Sequence, residues 1–199
     1  MLANLAEHSQ VYPVYIEAGL VWEQDEKASL EKFLAALAHP GIEPVTYLSA
    51  PVGPLLDSHW SVKGQAVPGA QAPDSEMFIP GRNVLLIALT AVWCSTHGVG
   101  RIAIGSLGGN PFPDATPEFF ESFGSVLSAG LGHEISVEAP FRGLKKADLI
   151  RSHSSLPLEL TLTCANPAGT SHCGDCNKCT ERRDAFLELS VEDRTKYLK

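Results

Sequence analysis

Four cysteines crowd one stretch near the C-terminus, Cys164, Cys173, Cys176 and Cys179, in the spacing C-x8-C-x2-C-x2-C. A two-residue spacer lets successive thiolates turn toward one centre at Zn–S distances of about 2.3 Å, and Gly174 permits the tight knuckle between them. Four soft ligands close a tetrahedral shell and leave no open position for catalysis. The spacing therefore predicts a structural zinc ion. An iron–sulfur cluster is an alternative, because C-x2-C-x2-C also occurs in ferredoxin-type runs; those continue with x3-C-P, where this chain has Thr180-Glu181-Arg182-Arg183. Disulfides or unligated thiols are a third reading. His172 beside Cys173 could stand in for a thiolate, although four cysteines already suffice. The fifth cysteine, Cys94, follows Val92 and Trp93 in an apolar run and reads as core rather than nucleophile.

Compartment and charge narrow the function classes. Residues 1–8 show no cationic leader followed by an apolar run, so they do not read as a secretion signal. No apolar stretch reaches the roughly 20 residues needed to cross a bilayer. A cytoplasmic protein is expected, in a reducing compartment where clustered cysteines more often bind metal than form disulfides. The net charge of -8 argues against a broad phosphate-tracking surface, so no direct nucleic-acid partner is expected.

Upstream of the cysteines, strand and helix patterns alternate. Residues 11–18 are short, β-branched and aromatic, and from Asp25 to Ala38 the residues Leu30, Phe33, Leu34 and Leu37 recur at helical spacing. Strand patterns follow at 43–50, 101–106 and 135–140, with helices over Arg82–His97 and from Pro117. Thr116 is placed to cap that last helix, with Pro117 at its first position. Such alternation predicts an α/β fold: an open parallel sheet with helices on both faces and right-handed crossovers. Its expected extent is 1–160, with 161–199 as a small helical, zinc-binding appendage. Ser190 and Asp193 resemble a capping box and predict a last short helix ending near Leu198. Residues 51–77, rich in Gly, Pro, Ser and Ala, read either as a disordered insertion or as a substrate lid.

The chain resembles a known family through Phe78-Ile79-Pro80-Gly81-Arg82-Asn83, Ile104-Gly105-Ser106, residues 113–119 (PDATPEF), Pro140 with Lys146-Ala147-Asp148-Leu149-Ile150, and the cysteine clip. These runs, in this order, are similar to the 7-cyano-7-deazaguanine synthases of queuosine biosynthesis. The resemblance implies an ATP-pyrophosphatase fold of the adenine-nucleotide hydrolase type over 1–160. It also implies ATP and Mg2+ as co-substrates, a deazapurine acid and ammonia as small-molecule partners, and a homodimer. The implied reaction adenylates 7-carboxy-7-deazaguanine, displaces AMP with ammonia, and dehydrates the resulting amide to a nitrile. The family's first strand ends in a Ser-Gly-Gly-x-Asp-Ser loop that cradles phosphates, and no such motif occurs here. About 20 residues, one strand and its turn, are therefore expected upstream of Met1. Two other readings stand beside this one: a pyrophosphatase-type tRNA sulfurtransferase, and a noncatalytic paralogue that kept the clip and base pocket.

Carried over residue by residue, Arg82 and Asn83 are expected to contact nucleotide or base, Arg through its planar donor fork and Asn through its donor–acceptor pair. Their alternative is helix capping. Gly105 belongs with them at a strand end. Asp114 and Glu118 are expected to accept hydrogen bonds from the N–H edge of a guanine-like base, or else to bias the first turn of a helix. Lys146 is the expected catalytic lysine, neutralising phosphate or the activated carboxylate, with an ordinary solvated lysine as the alternative. His133, His153 and His172 are isolated in sequence and receive no catalytic role.

Overall fold

The computed structural model describes residues 1–199 and divides into two compact units, one formed by Met1–Met77 with Lys146–Lys199 and the other by Phe78–Lys145. In the first unit, strand β1 (Val14–Glu17) pairs in parallel with β2 (Thr46–Ser49), with Val14 opposite Thr46 and Glu17 opposite Ser49. A parallel pair needs a crossover, and α2 (Glu23–Leu37) provides it. Its first turn carries Glu23, Asp25 and Glu26, which favour the positive end of the helix dipole. Glu23 is buried, and its carboxylate accepts the backbone N–H groups of Ala18 (2.8 Å) and Gly19 (3.0 Å), fixing the turn that leads out of β1. Leu30, Phe33, Leu34 and Leu37 are all half-buried. A short helix, α1 (Leu2–Ala6), precedes β1.

Residues 51–77 carry three short helical elements joined by irregular chain. These are α3 (Gly53–Leu56), α4 (Trp60–Lys63) and a 3-10 turn at Asp74–Met77. Trp60 ties the segment together: its indole N–H donates to the Glu76 carbonyl at 3.2 Å, and its ring lies 5.6 Å from that of Trp22. The same unit closes around α7 (Lys146–Ser152) and α8 (Asn177–Leu189), where Ala147 and Ile150 pack with Ala185 and Phe186.

In the second unit, α5 (Arg82–His97) has the bounds that the sequence predicts. Strand β3 (Arg101–Ala103) pairs in parallel with β4 (Ser136–Glu138) through the crossover helix α6 (Pro117–Leu131). Thr116 caps α6, its hydroxyl accepting the Phe119 N–H at 3.1 Å. Ile87, Ala91 and Cys94 of α5 form the core with Ile102, Ala115, Phe120 and Ile135. Gly124 lets α6 lie flat on β4, since a Cβ there would sit 3.2 Å from the Ile135 carbonyl. Cys94 is 2% exposed, and burial pushes its thiol up to about 11, as expected of a core cysteine.

Two expectations need correction. The strands form two two-stranded parallel sheets, β1–β2 and β3–β4, rather than one continuous open sheet. Strand patterning fixes which residues extend, but not how many edges of each strand find a partner. The predicted last helix is also absent: Ser190 is the left-handed C-cap of α8, and the residues beyond it form no helix, only an isolated bridge at Tyr197. There the Asp193 carboxylate accepts the Thr195 N–H and the Tyr197 hydroxyl. The chain then pairs with His172, whose N–H donates to the Lys196 carbonyl while its own carbonyl accepts the Leu198 N–H, both at 2.9 Å. Those bonds satisfy the groups a helix would have used.

Candidate metal centre

Cys164 follows the 3-10 turn at Leu158–Leu160, Cys173 and Cys176 bracket a knuckle at Gly174, and Cys176 and Cys179 sit at the N-terminus of α8. All four sulfurs are buried and lie within 4.8 Å of one another. The separations Cys164–Cys176 (3.9 Å), Cys173–Cys179 (3.8 Å) and Cys176–Cys179 (3.5 Å) bear on what the cluster can hold. A tetrahedron with metal–sulfur bonds of about 2.3 Å has edges of about 3.8 Å. The cage therefore fits a soft tetrahedral ion without rearrangement.

The surroundings favour thiolate. The Cys164 sulfur accepts backbone N–H groups from Cys173 (3.2 Å) and Asn166 (3.3 Å). Cys176 and Cys179 stand where the helix dipole is positive. Among the free thiols, contact with Cys164 and Cys179 lowers the Cys176 thiol from its ordinary value, and contact with Cys176 raises that of Cys164.

Residues beyond the four sulfurs complete the site, Gly174 as the spacing predicts and Arg182 and Arg183 as it does not. Gly174 has φ of 90°, and a Cβ there would run into the Lys199 carbonyl. Arg183 donates to the Gly174 carbonyl at 2.6 Å and to the Lys199 carbonyl, and its guanidinium lies 4.0 Å from the centre of the Tyr197 ring. Arg182, 5% exposed, donates to the Thr195 hydroxyl (2.8 Å), the Thr161 hydroxyl (3.1 Å) and the Leu158 carbonyl (2.7 Å). Residues 193–199 are thereby strapped across the knuckle. The available signal was positional: Arg182 and Arg183 follow Cys179 by three and four residues, one turn along the same helix. His172 is 1% exposed, its Nε2 faces the Thr163 N–H at 3.2 Å, and it is not among the clustered ligands.

The other expected site residues divide between the units. Arg82 is exposed at the first position of α5, and Glu118 is exposed in the first turn of α6. Gly105 lies just beyond β3, with open space where a Cβ would be. Asn83 and Asp114 are brought together: the buried Asp114 carboxylate accepts the Asn83 backbone N–H at 3.1 Å, and the Asn83 amide donates to the Asp114 carbonyl at 3.1 Å. Lys146, in the first unit, is ion-paired to Glu181 at 2.9 Å, and Lys178 meets the other carboxylate oxygen at 2.8 Å. It is therefore not a freely solvated lysine. Burial pushes its ammonium below the ordinary value, more than the Glu181 charge restores.

Comparison with known proteins now bears on this arrangement. The model of the family described as queuosine biosynthesis protein QueC matches residues 5–190. The chain belongs to the QueC family. Similar proteins include the 7-cyano-7-deazaguanine synthase of Methanocaldococcus jannaschii, 31% identical over 62% of this chain and 58% of the relative. That of Legionella pneumophila (strain Paris) is 35% identical over 61% and 58%, and that of Desulfotalea psychrophila is 29% identical over 74% and 70%. The match to the Methanocaldococcus protein thus spans somewhat more than half of that relative's length. The family is one of biosynthetic enzymes, and in this chain the four clustered cysteines could hold a metal ion. No helix is long and apolar enough to cross a membrane.

Proposed function

We propose that this chain carries out the ATP-dependent conversion of 7-carboxy-7-deazaguanine and ammonia to 7-cyano-7-deazaguanine, with a structural zinc ion in the cysteine cage. The family match over residues 5–190 carries this reading, and the relatives' shared name supports the product. The chemistry follows from the substrate. A carboxylate oxygen is a poor leaving group, so it is first made a mixed anhydride with AMP. Ammonia displaces AMP to give the amide, and a second activation allows its dehydration to the nitrile. Magnesium would offset the triphosphate charge.

Zinc fits the donor set: four thiolates at tetrahedral spacing, with no position left for substrate. Its contribution is to cross-link the loop at Cys164, the knuckle and α8. In this reading Arg82, Asn83, Gly105, Asp114 and Glu118 serve the nucleotide and the base. Lys146 supplies positive charge while Glu181 holds its position.

The test is direct. The purified protein, alone and preceded by any in-frame residues encoded upstream of Met1, is incubated with ATP, Mg2+, ammonium and 7-carboxy-7-deazaguanine. AMP and the nitrile, followed by mass spectrometry, are expected; neither product from either form would overturn the assignment. Metal analysis of reduced protein should give one zinc per chain.

A further inference from the structure

The segment from Pro68 to Met77 has few ties of its own, and its strongest ones run to the cysteine clip more than a hundred residues away. Gly69 forms an isolated antiparallel bridge with Cys176. The backbone N–H of Asn177 donates to the Pro68 carbonyl at 3.0 Å. The Asn177 side-chain amide, 7% exposed, donates to the Ala72 carbonyl at 2.8 Å and to the Asp74 carboxylate at 3.2 Å. Lys178 reaches the same carboxylate at 3.4 Å.

Every one of these contacts comes from Cys176, a presumptive ligand, or from the two residues between it and Cys179. The Asn177 amide oxygen, by contrast, is buried without a partner. An unpartnered buried acceptor is unfavourable, so the side chain's orientation is dictated by the two acceptors on the segment rather than by its own needs. Asn177 is the first residue of α8 and Cys176 its N-cap, so an ion joining Cys176 to Cys179 would pin the helix start from which the amide projects. The segment's remaining ties are two local turns, Ala72 N–H to the Gly69 carbonyl and Glu76 N–H to the Pro73 carbonyl, and the bond from Trp60 to Glu76.

We propose that the clip is a clasp for residues 68–77, with Asn177 the positioning residue through which occupancy of the cysteine cage sets the order of that segment. The inference rests on the metal reading given above and extends it: zinc does not merely stabilise the tail but holds a segment that leads directly into Phe78–Asn83. The ordered form exists when the four sulfurs share one ion. When they do not, the first turn of α8 frays and the amide loses both of its acceptors.

Hydrogen exchange of the full-length, zinc-loaded protein, read by mass spectrometry, tests this. Asn177→Ala should raise exchange in 68–77 by about tenfold, the factor that one lost hydrogen bond of ordinary strength gives, while zinc content and the peptides of α2 and α5 stay unchanged. Unchanged exchange in 68–77 would overturn the proposal. Should Asn177→Ala fail to fold, the exposed Asp74→Ala decides in its place: a local rise confined to 68–77 supports the clasp, and none refutes it. Removing zinc with a chelator should loosen 68–77 before the core, and a segment still protected after chelation refutes the coupling. Protein that never held zinc would overturn the metal reading and the coupling with it, whereas zinc-loaded protein whose exchange in 68–77 ignores both Asn177→Ala and chelation would overturn this proposal alone.

Discussion

Asp114 caps helix α5 from 31 residues away, its carboxylate accepting the backbone N–H of Asn83 at the second position of the helix. Gly81, at the N-cap, has no side chain to offer, so the orphan donor of the first turn is satisfied from the 3-10 turn at Pro113–Ala115 instead. Asp114 thus has a structural task whatever else it does.

That task separates two roles. Asp114→Ala removes the cap and should cost about 1–2 kcal/mol of stability. Asp114→Asn keeps an oxygen for the Asn83 N–H and should cost far less, yet it removes the charge a base's N–H edge would use. If Asp114 also binds the base, Asp114→Asn should raise KM with thermal stability nearly intact. Equal loss of stability in both variants would leave Asp114 with no separable capping role.

Gly174 faces a different constraint. Its φ of 90° is strained for any L side chain, and the Lys199 carbonyl occupies the space a Cβ would need. Gly174→Ala should therefore push the strap of residues 193–199 off the knuckle. The expected outcome is a stability loss of about 1–2 kcal/mol or more and faster extraction of metal by a chelator. Truncation after Glu192 should reproduce the faster extraction with the knuckle backbone unaltered.

Lys146 and Glu181 join α7 to α8 through a partly buried pair. Burial alone would raise the Glu181 carboxyl, but Lys146 and Lys178 hold it below its ordinary value. A depressed carboxyl contributes stability above the unfolded pKa, and that contribution is lost as pH falls through the folded one. Glu181→Gln should thus cost about 1–2 kcal/mol near pH 7, between the exposed-pair and buried-pair limits. The difference from wild type should vanish in denaturant titrations carried out well below the ordinary Glu range of about 4.3.

The sequence made some of this legible and concealed the rest for physical reasons. Helix α5 could be bounded from the chain because Gly81 and Gly98 bracket an apolar run, and α6 because Thr116 and Pro117 announce its start. The cysteine cage followed from spacing alone. The Ser190–Asp193 signal misled, because a local capping preference worth about 1 kcal/mol yields to the backbone pairing of residues 196–198 with His172. The ties of Asn177 to Ala72 and Asp74 were illegible, since no local pattern encodes a contact across more than a hundred residues. Strand pairing was illegible for a similar reason: β-branched runs mark strands without naming their neighbours.

Thiol reactivity gives the sharpest test of the metal centre. All five cysteines are buried and unbridged, but for two different reasons. Cys94 is sealed in the α5 core, with its thiol pushed up to about 11, so it is both inaccessible and protonated at neutral pH. The other four would be held by an ion, which shields their sulfurs from reagent. Native protein should therefore resist alkylation. A zinc chelator should expose four thiols while Cys94 stays silent, and denaturant should release the fifth. Because ligation displaces protons from the thiols, chelator extraction should also quicken as pH falls. Alkylation of all five at one rate, or of the four without any chelator, would mean that the cage holds no ion.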